Sequence, residues 1–159
     1  LEFNVKVLLS NECRSIEKDS LPKQIEVLID ADEWDSWKKI GDPVLHIELR
    51  KWADMMIVWP ASAHMIAKLK MSLSDDLITN VIRAWDTESD RPIFLSPSAH
   101  SLILSNALLS EHLRELAKER KMKVVPLKKR DPSTLPNHLL MEKNKLEKQR
   151  ETKKEFENE

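Results

Sequence analysis

Apolar positions along this chain recur with two spacings. Short apolar-rich runs at Val5–Leu9, Ile25–Ile29, Met55–Trp59, Pro92–Leu95 and Lys123–Leu127 predict β-strands. The run Met55–Trp59 has no polar residue, which predicts a strand covered on both faces, as in parallel sheets. Between these runs the apolar residues fall three and four apart. This predicts helices over Asp32–Lys39, over the Leu45, Leu49 and Trp52 stripe, and over Ala63–Met71, Asp75–Trp85, Leu102–Leu109 and Ser110–Lys121. Ser110 reads as the N-cap of the last of these. Ser10 to Ser20 is polar and loop-like. Strands alternating with helices predict an α/β fold with a mostly parallel sheet.

The pattern ends near Leu127. Lys128-Lys129-Arg130-Asp131-Pro132 reads as a linker. Residues 141–159 hold six basic and six acidic residues but only Met141, Leu146 and Phe156 as sizeable apolar groups. Such a segment cannot bury a core. The expected organisation is one domain over 1–127 and a charged linker and tail, helical or disordered, over 128–159.

A formal net charge of −1 over 159 residues gives no reason to expect nucleic acid or an anionic membrane as partner. No apolar run approaches the roughly 20 residues of a membrane span. Cys13 is the only cysteine, which excludes an intrachain disulfide and fits a reducing, cytoplasmic setting. The first residue is Leu, so the chain is expected to be a fragment or a processed product. Gly41 is the single glycine, where average usage of ~7% would give roughly eleven. Phosphate loops need glycine for close backbone approach, so a glycine-rich phosphate loop is not expected in this sequence.

His46 is the leading candidate for chemistry. It stands at the start of a predicted helix, just after the Gly41-Asp42-Pro43 turn. The strand run and the Pro60-Ala61-Ser62-Ala63 loop follow that helix. Ligands sit at the carboxyl ends of strands in open parallel sheets, and imidazole moves protons near neutral pH. Capping of the helix start is the simpler role for such a histidine. His112 and His138 have no motif around them, and the five histidines show no zinc-binding spacing.

Asp30-Ala31-Asp32-Glu33-Trp34, Trp37, Gly41 to Asp54, Pro60 to Ala63 and Arg83-Ala84-Trp85-Asp86 resemble the phosphopantothenoylcysteine decarboxylase and halotolerance flavoprotein family. The resemblance runs from about Val5 to Leu127. It implies a Rossmann-like, flavodoxin-type three-layer fold that here lacks its first strand. It implies FMN as cofactor and decarboxylation of 4'-phosphopantothenoylcysteine in coenzyme A biosynthesis, with His46 as the base. Ser10, Ser62, Ala63, His64, Met65 and Ser98 are the implied flavin contacts, and His100 the implied contact to the substrate carboxylate. Sites would form between subunits of a homotrimer, or of a heterotrimer of homologous subunits.

Several positions depart from the family pattern, with Ser98 and Ala99 standing where the family has Ala and Met. His64 and Met65 replace Asn and Thr, and His100 replaces Asn. The family's Gly-Ser-Val-Ala phosphate loop and its Cys-Gly-Asp-x-Gly flap have no counterpart in this sequence. Each lost charge-assisted hydrogen bond to phosphate is worth roughly 1.5–3 kcal/mol, so weakened flavin binding is expected. The resemblance therefore leaves an alternative open. The chain is then a non-catalytic homologue, serving as a subunit of a heterotrimeric decarboxylase or as a protein phosphatase regulator.

Overall fold

The computed structural model describes residues 3–11 and 21–125, all within one compact unit, Leu1–Pro126. Cys13, His138 and the charged segment 128–159 lie outside the described residues. The elements in chain order are β1 (Lys6–Leu9), β2 (Glu26–Ile29), α1 (Asp30–Ser36), α2 (Leu45–Trp52), β3 (Met56–Ala61), α3 (Ala63–Lys70), α4 (Leu77–Arg83), β4 (Ile93–Pro97), α5 (Ser101–Leu104), α6 (Ala107–Glu119) and β5 (Lys123–Val124).

Every described ladder is parallel. β1 pairs with β2, aligning Lys6 with Glu26 and Leu9 with Ile29. β4 lies between β3 and β5, aligning Met56 with Ile93 and Phe94 with Lys123. Among the described residues the expected parallel sheet is thus present as two sheets, of two and three strands. Both lie against one core. Ile66, Leu69, Leu77, Leu95 and Leu116 are its most enclosed large apolar side chains, and Leu8 of β1 and Leu28 of β2 pack against it.

Three expectations change. The apolar run Met55–Trp59 predicts cover on both faces. Val58 is buried, but Ile57 is 63% and Trp59 66% exposed, so the strand alternates as one-sided strands do. The register of β3 breaks between Val58 and Ala61, where Pro60 has no N–H to give to the ladder. Leu102–Leu109 does not form one helix. Ser105 and Asn106 interrupt it, and Asn106, not Ser110, caps α6 by accepting from the Leu108 N–H at 2.8 Å. An Asx side chain outcompetes the helical backbone for that N–H.

Two turns aim α2. Gly41 has φ +101°, a conformation that glycine adopts without a Cβ penalty. The Asp42 carboxylate accepts from the N–H groups of Lys38 and Lys39, each at 2.9 Å. At the far end, the Arg91 guanidinium donates to the carbonyls of Lys51 and Ala53, and Lys6 sits 5.0 Å over the Trp52 ring. These contacts hold the end of α2 beside the amino ends of β1 and β4. Its start, with His46, therefore lies toward the carboxyl ends of the strands. Among the described residues no helix is long and apolar enough to cross a membrane.

Candidate active site

α1 begins directly after β2, so its residues project from that strand's carboxyl end. Glu33 lies on its inner side and is only 8% exposed. One carboxylate oxygen pairs with Nδ1 of His46, and the other accepts from Asn80 Nδ2 at 3.0 Å. The Ser74 hydroxyl donates to the Asn80 carbonyl oxygen. The His46 side chain is 25% exposed, and Nε2 bonds to no described residue. Three helices, α1, α2 and α4, thus converge on one imidazole.

Asp30 ties the same edge together. It accepts from Asn11 Nδ2 at 2.7 Å and from the Leu77 N–H at 2.9 Å. Behind it, Ser10, Asn11, Asp30, Lys68, Asp75 and Asp76 line a polar hollow. Burial pulls Lys68 toward its neutral form, but hydrogen bonds to Asp75 and Asp76 outweigh this and hold its pKa above the usual 10.5. Burial likewise pushes Asp76 up. The Thr79 N–H and the Lys68 ammonium more than offset that and leave its carboxyl below the usual range.

A second group of residues lies where β3 and β4 end. Ser62 is the N-cap of α3, its Oγ accepting from the Met65 N–H at 3.0 Å. Ala63 and His64 form the first turn, and the Met65 side chain is buried in the core. The Ser98 N–H donates to the Ala61 carbonyl at 2.9 Å, which joins this loop to the one after β4. His100 caps the short helix α5, its Nδ1 accepting from the Leu102 N–H at 3.3 Å. The structure thus brings Ser62, Ala63 and Ser98 together. Ser10 shares the hollow with Lys68 of α3. No described hydrogen bond links His46 to either group.

Sequence reasoning placed no role on Glu33, Asn80 or Lys68. Glu33 was visible as one of three acids in the segment Asp30 to Trp34 that carries the family resemblance, with no role attached. The available signal was a carboxylate beside Trp34 on the helix predicted over Asp32–Lys39. Trp85, the last residue of the helix predicted over Asp75–Trp85, is buried, with its indole N–H on the Arg91 carbonyl at 3.0 Å.

A family model described as Flavoprotein matches residues 1–150. The chain belongs to that family. A probable phosphopantothenoylcysteine decarboxylase of Arabidopsis thaliana is 44% identical over 115 residues, covering 72% of this chain and 56% of its own. The solved FMN binding protein AtHal3 superposes with a TM-score of 0.73 at 40% identity, over 79% of this chain and 67% of its own. A PPC decarboxylase C175S mutant complexed with pantothenoylaminoethenethiol gives 0.74 at 36% identity, over 90% of this chain and 82% of its own. The chain spans about half the length of the curated relatives it matches.

Residues 61–63 and 98–99 lie together where β3 and β4 end. Their side chains are small, and a helix starts at Ala63, so backbone can approach a planar ligand closely. Among the described residues lining the hollow beside Ser10, the only ammonium is Lys68, and it is already paired with Asp75 and Asp76.

Proposed function

We propose that this chain carries the flavin-side machinery of a phosphopantothenoylcysteine decarboxylase-type protein. It would bind FMN and remove the cysteine-derived carboxylate of 4'-phosphopantothenoylcysteine, within a trimer of identical or homologous subunits in the cytoplasm. One observation carries the reading. His46 stands at the carboxyl edge of the strands, fixed by a buried carboxylate and partly open to solvent.

Ser10, Ser62, Ala63, His64, the Met65 backbone and Ser98 would hold the flavin. When bound, it supplies a two-electron acceptor for the substrate carbon next to sulfur. His46 supplies the proton acceptor, a role typically worth roughly 10²- to 10⁴-fold in rate. His100, exposed on its loop, would meet the substrate carboxylate through its Nε2, since Nδ1 caps α5.

The test is CO₂ release from 4'-phosphopantothenoylcysteine by FMN-loaded protein, with His46→Asn beside it. The variant should keep the flavin absorbance and lose at least about a hundredfold in turnover. Unchanged turnover would remove His46 from the chemistry.

A second reading rests on the departures at 64, 65 and 100. Met65 faces the core and offers no polar side chain to a ligand. In this reading the chain is a non-catalytic subunit of a heterotrimeric decarboxylase, or a regulator of a protein phosphatase. A colourless, inactive protein that assembles with a catalytic homologue or inhibits a type 1 phosphatase would favour it.

A further inference from the structure

Resting on the reading of His46 as base, we propose that Glu33 and Asn80 form a positioning relay that fixes which nitrogen of His46 carries the proton. An ionised carboxylate only accepts hydrogen bonds, so the Nδ1 facing Glu33 must be the protonated nitrogen. In the neutral ring the lone pair then sits on Nε2. That is the nitrogen without a described partner, on a ring a quarter exposed.

Asn80 completes the relay by holding the carboxylate from the other side. Its amide orientation is set in turn by Ser74. The hydroxyl donates to Oδ1, so Nδ2 is presented to Glu33. Glu33 is thus held on α1 between a donor from α4 and a donor from α2. It touches no reacting atom itself. Its work is to keep the imidazole in one tautomer and one orientation, and to stabilise the imidazolium once Nε2 has taken a proton. Such orienting partners commonly determine how a histidine performs.

The same geometry yields an inversion. In Glu33→Gln the amide has one acceptor and one donor. The Asn80 NH₂ requires the acceptor on its side, so the Gln NH₂ must face His46 Nδ1. Nδ1 then has to accept, and the ring proton moves to Nε2. The nitrogen left facing outward becomes a donor and can no longer act as base. Adding Asn80→Asp reverses this. The carboxylate introduced on α4 accepts from the Gln NH₂, the Gln carbonyl turns to Nδ1, and the proton returns there. The Ser74 hydroxyl still donates to the side chain at that α4 position in the double variant.

The experiment is long-range ¹H–¹⁵N NMR on ¹⁵N-histidine-labelled protein, at a pH where the ring is neutral. The His46 signal is assigned by its loss in His46→Asn. The expected results are the Nδ1–H tautomer in wild type, Nε2–H in Glu33→Gln, and Nδ1–H again in Glu33→Gln/Asn80→Asp. An Nε2–H wild type overturns the relay without any variant, so a misfolded Glu33→Gln does not shield it. An unchanged tautomer in a folded Glu33→Gln also overturns it. In FMN-loaded protein, turnover should follow the tautomer, falling at least about a hundredfold in Glu33→Gln and recovering in the double variant. If all three spectra are as expected but wild type releases no CO₂, the relay stands and the decarboxylase reading fails.

Discussion

Gly41 and His46 sit five positions apart and answer to different demands. Gly41 is constrained by its backbone alone. At φ +101° an added Cβ would meet nothing within 4 Å, so strain rather than collision is the cost. Gly41→Ala should therefore lower stability by about 1–2 kcal/mol, read as a fall in the urea midpoint at constant slope. An unchanged midpoint would show that the turn re-forms with negative φ. His46 is constrained by a partner thirteen residues away in sequence. Its position as a candidate was legible because a turn and a helix stripe surround it. Its partner was not, because no periodicity connects α1 to α2.

Helix starts carry the clearest electrostatic consequences. Asp76 caps α4 through the Thr79 N–H at 2.8 Å and pairs with Lys68 at 3.0 Å. Asp76→Ala removes a cap and leaves Lys68 without one of its two carboxylates, so a loss of about 2 kcal/mol is expected. The pH dependence has a definite sign. The Asp76 carboxyl is held below its ordinary value, so its contribution exists above the unfolded carboxylate range. It disappears as pH falls through the folded value. Lys68 is held above 10.5, so its contribution is complete below that value and fades only as pH rises through the folded one. The gap between wild type and Asp76→Ala should be full near neutral pH and shrink in acid below about pH 4. Urea midpoints at the two pH values check this. A gap that widens in acid would put the stabilisation elsewhere. The misplaced start of α6 shows how an element boundary escapes sequence reading. Ser110 and Asn106 are both good caps, and only the break at Ser105 and Asn106 decided between them.

The described residues form two parallel sheets against one core, and β4 is the middle strand of the larger sheet. Leu95, fully buried on β4, should cost about 2–5 kcal/mol when replaced by alanine. A thermal midpoint within error of wild type would mean that this core does not carry the fold. β1 and β3 each have one edge without a described ladder, and β3 presents Ile57 and Trp59 to solvent. The run with no polar residue predicted cover on both faces, and the exposed Ile57 and Trp59 show cover on one. Apolar composition states what a strand tolerates, not what lies over it. The proposed division into 1–127 and 128–159 is testable here too. Truncation after Leu127 should leave the melting midpoint unchanged, whereas a fall of more than a few degrees would assign part of the charged segment to the core.

Alternating runs and stripes were enough to dictate an α/β chain with parallel strands, because burial periodicity is a local property of the backbone. They were also enough to put a histidine at a strand's carboxyl edge, because βαβ connections leave helix starts there. What they could not dictate was the company His46 keeps. Glu33 comes from one stretch and Ser74 and Asn80 from another, and only packing of α1, α2 and α4 brings their hydrogen-bonding atoms into line with His46. The roles of Nδ1 and Nε2 follow from that line, and so does any chemistry the imidazole performs.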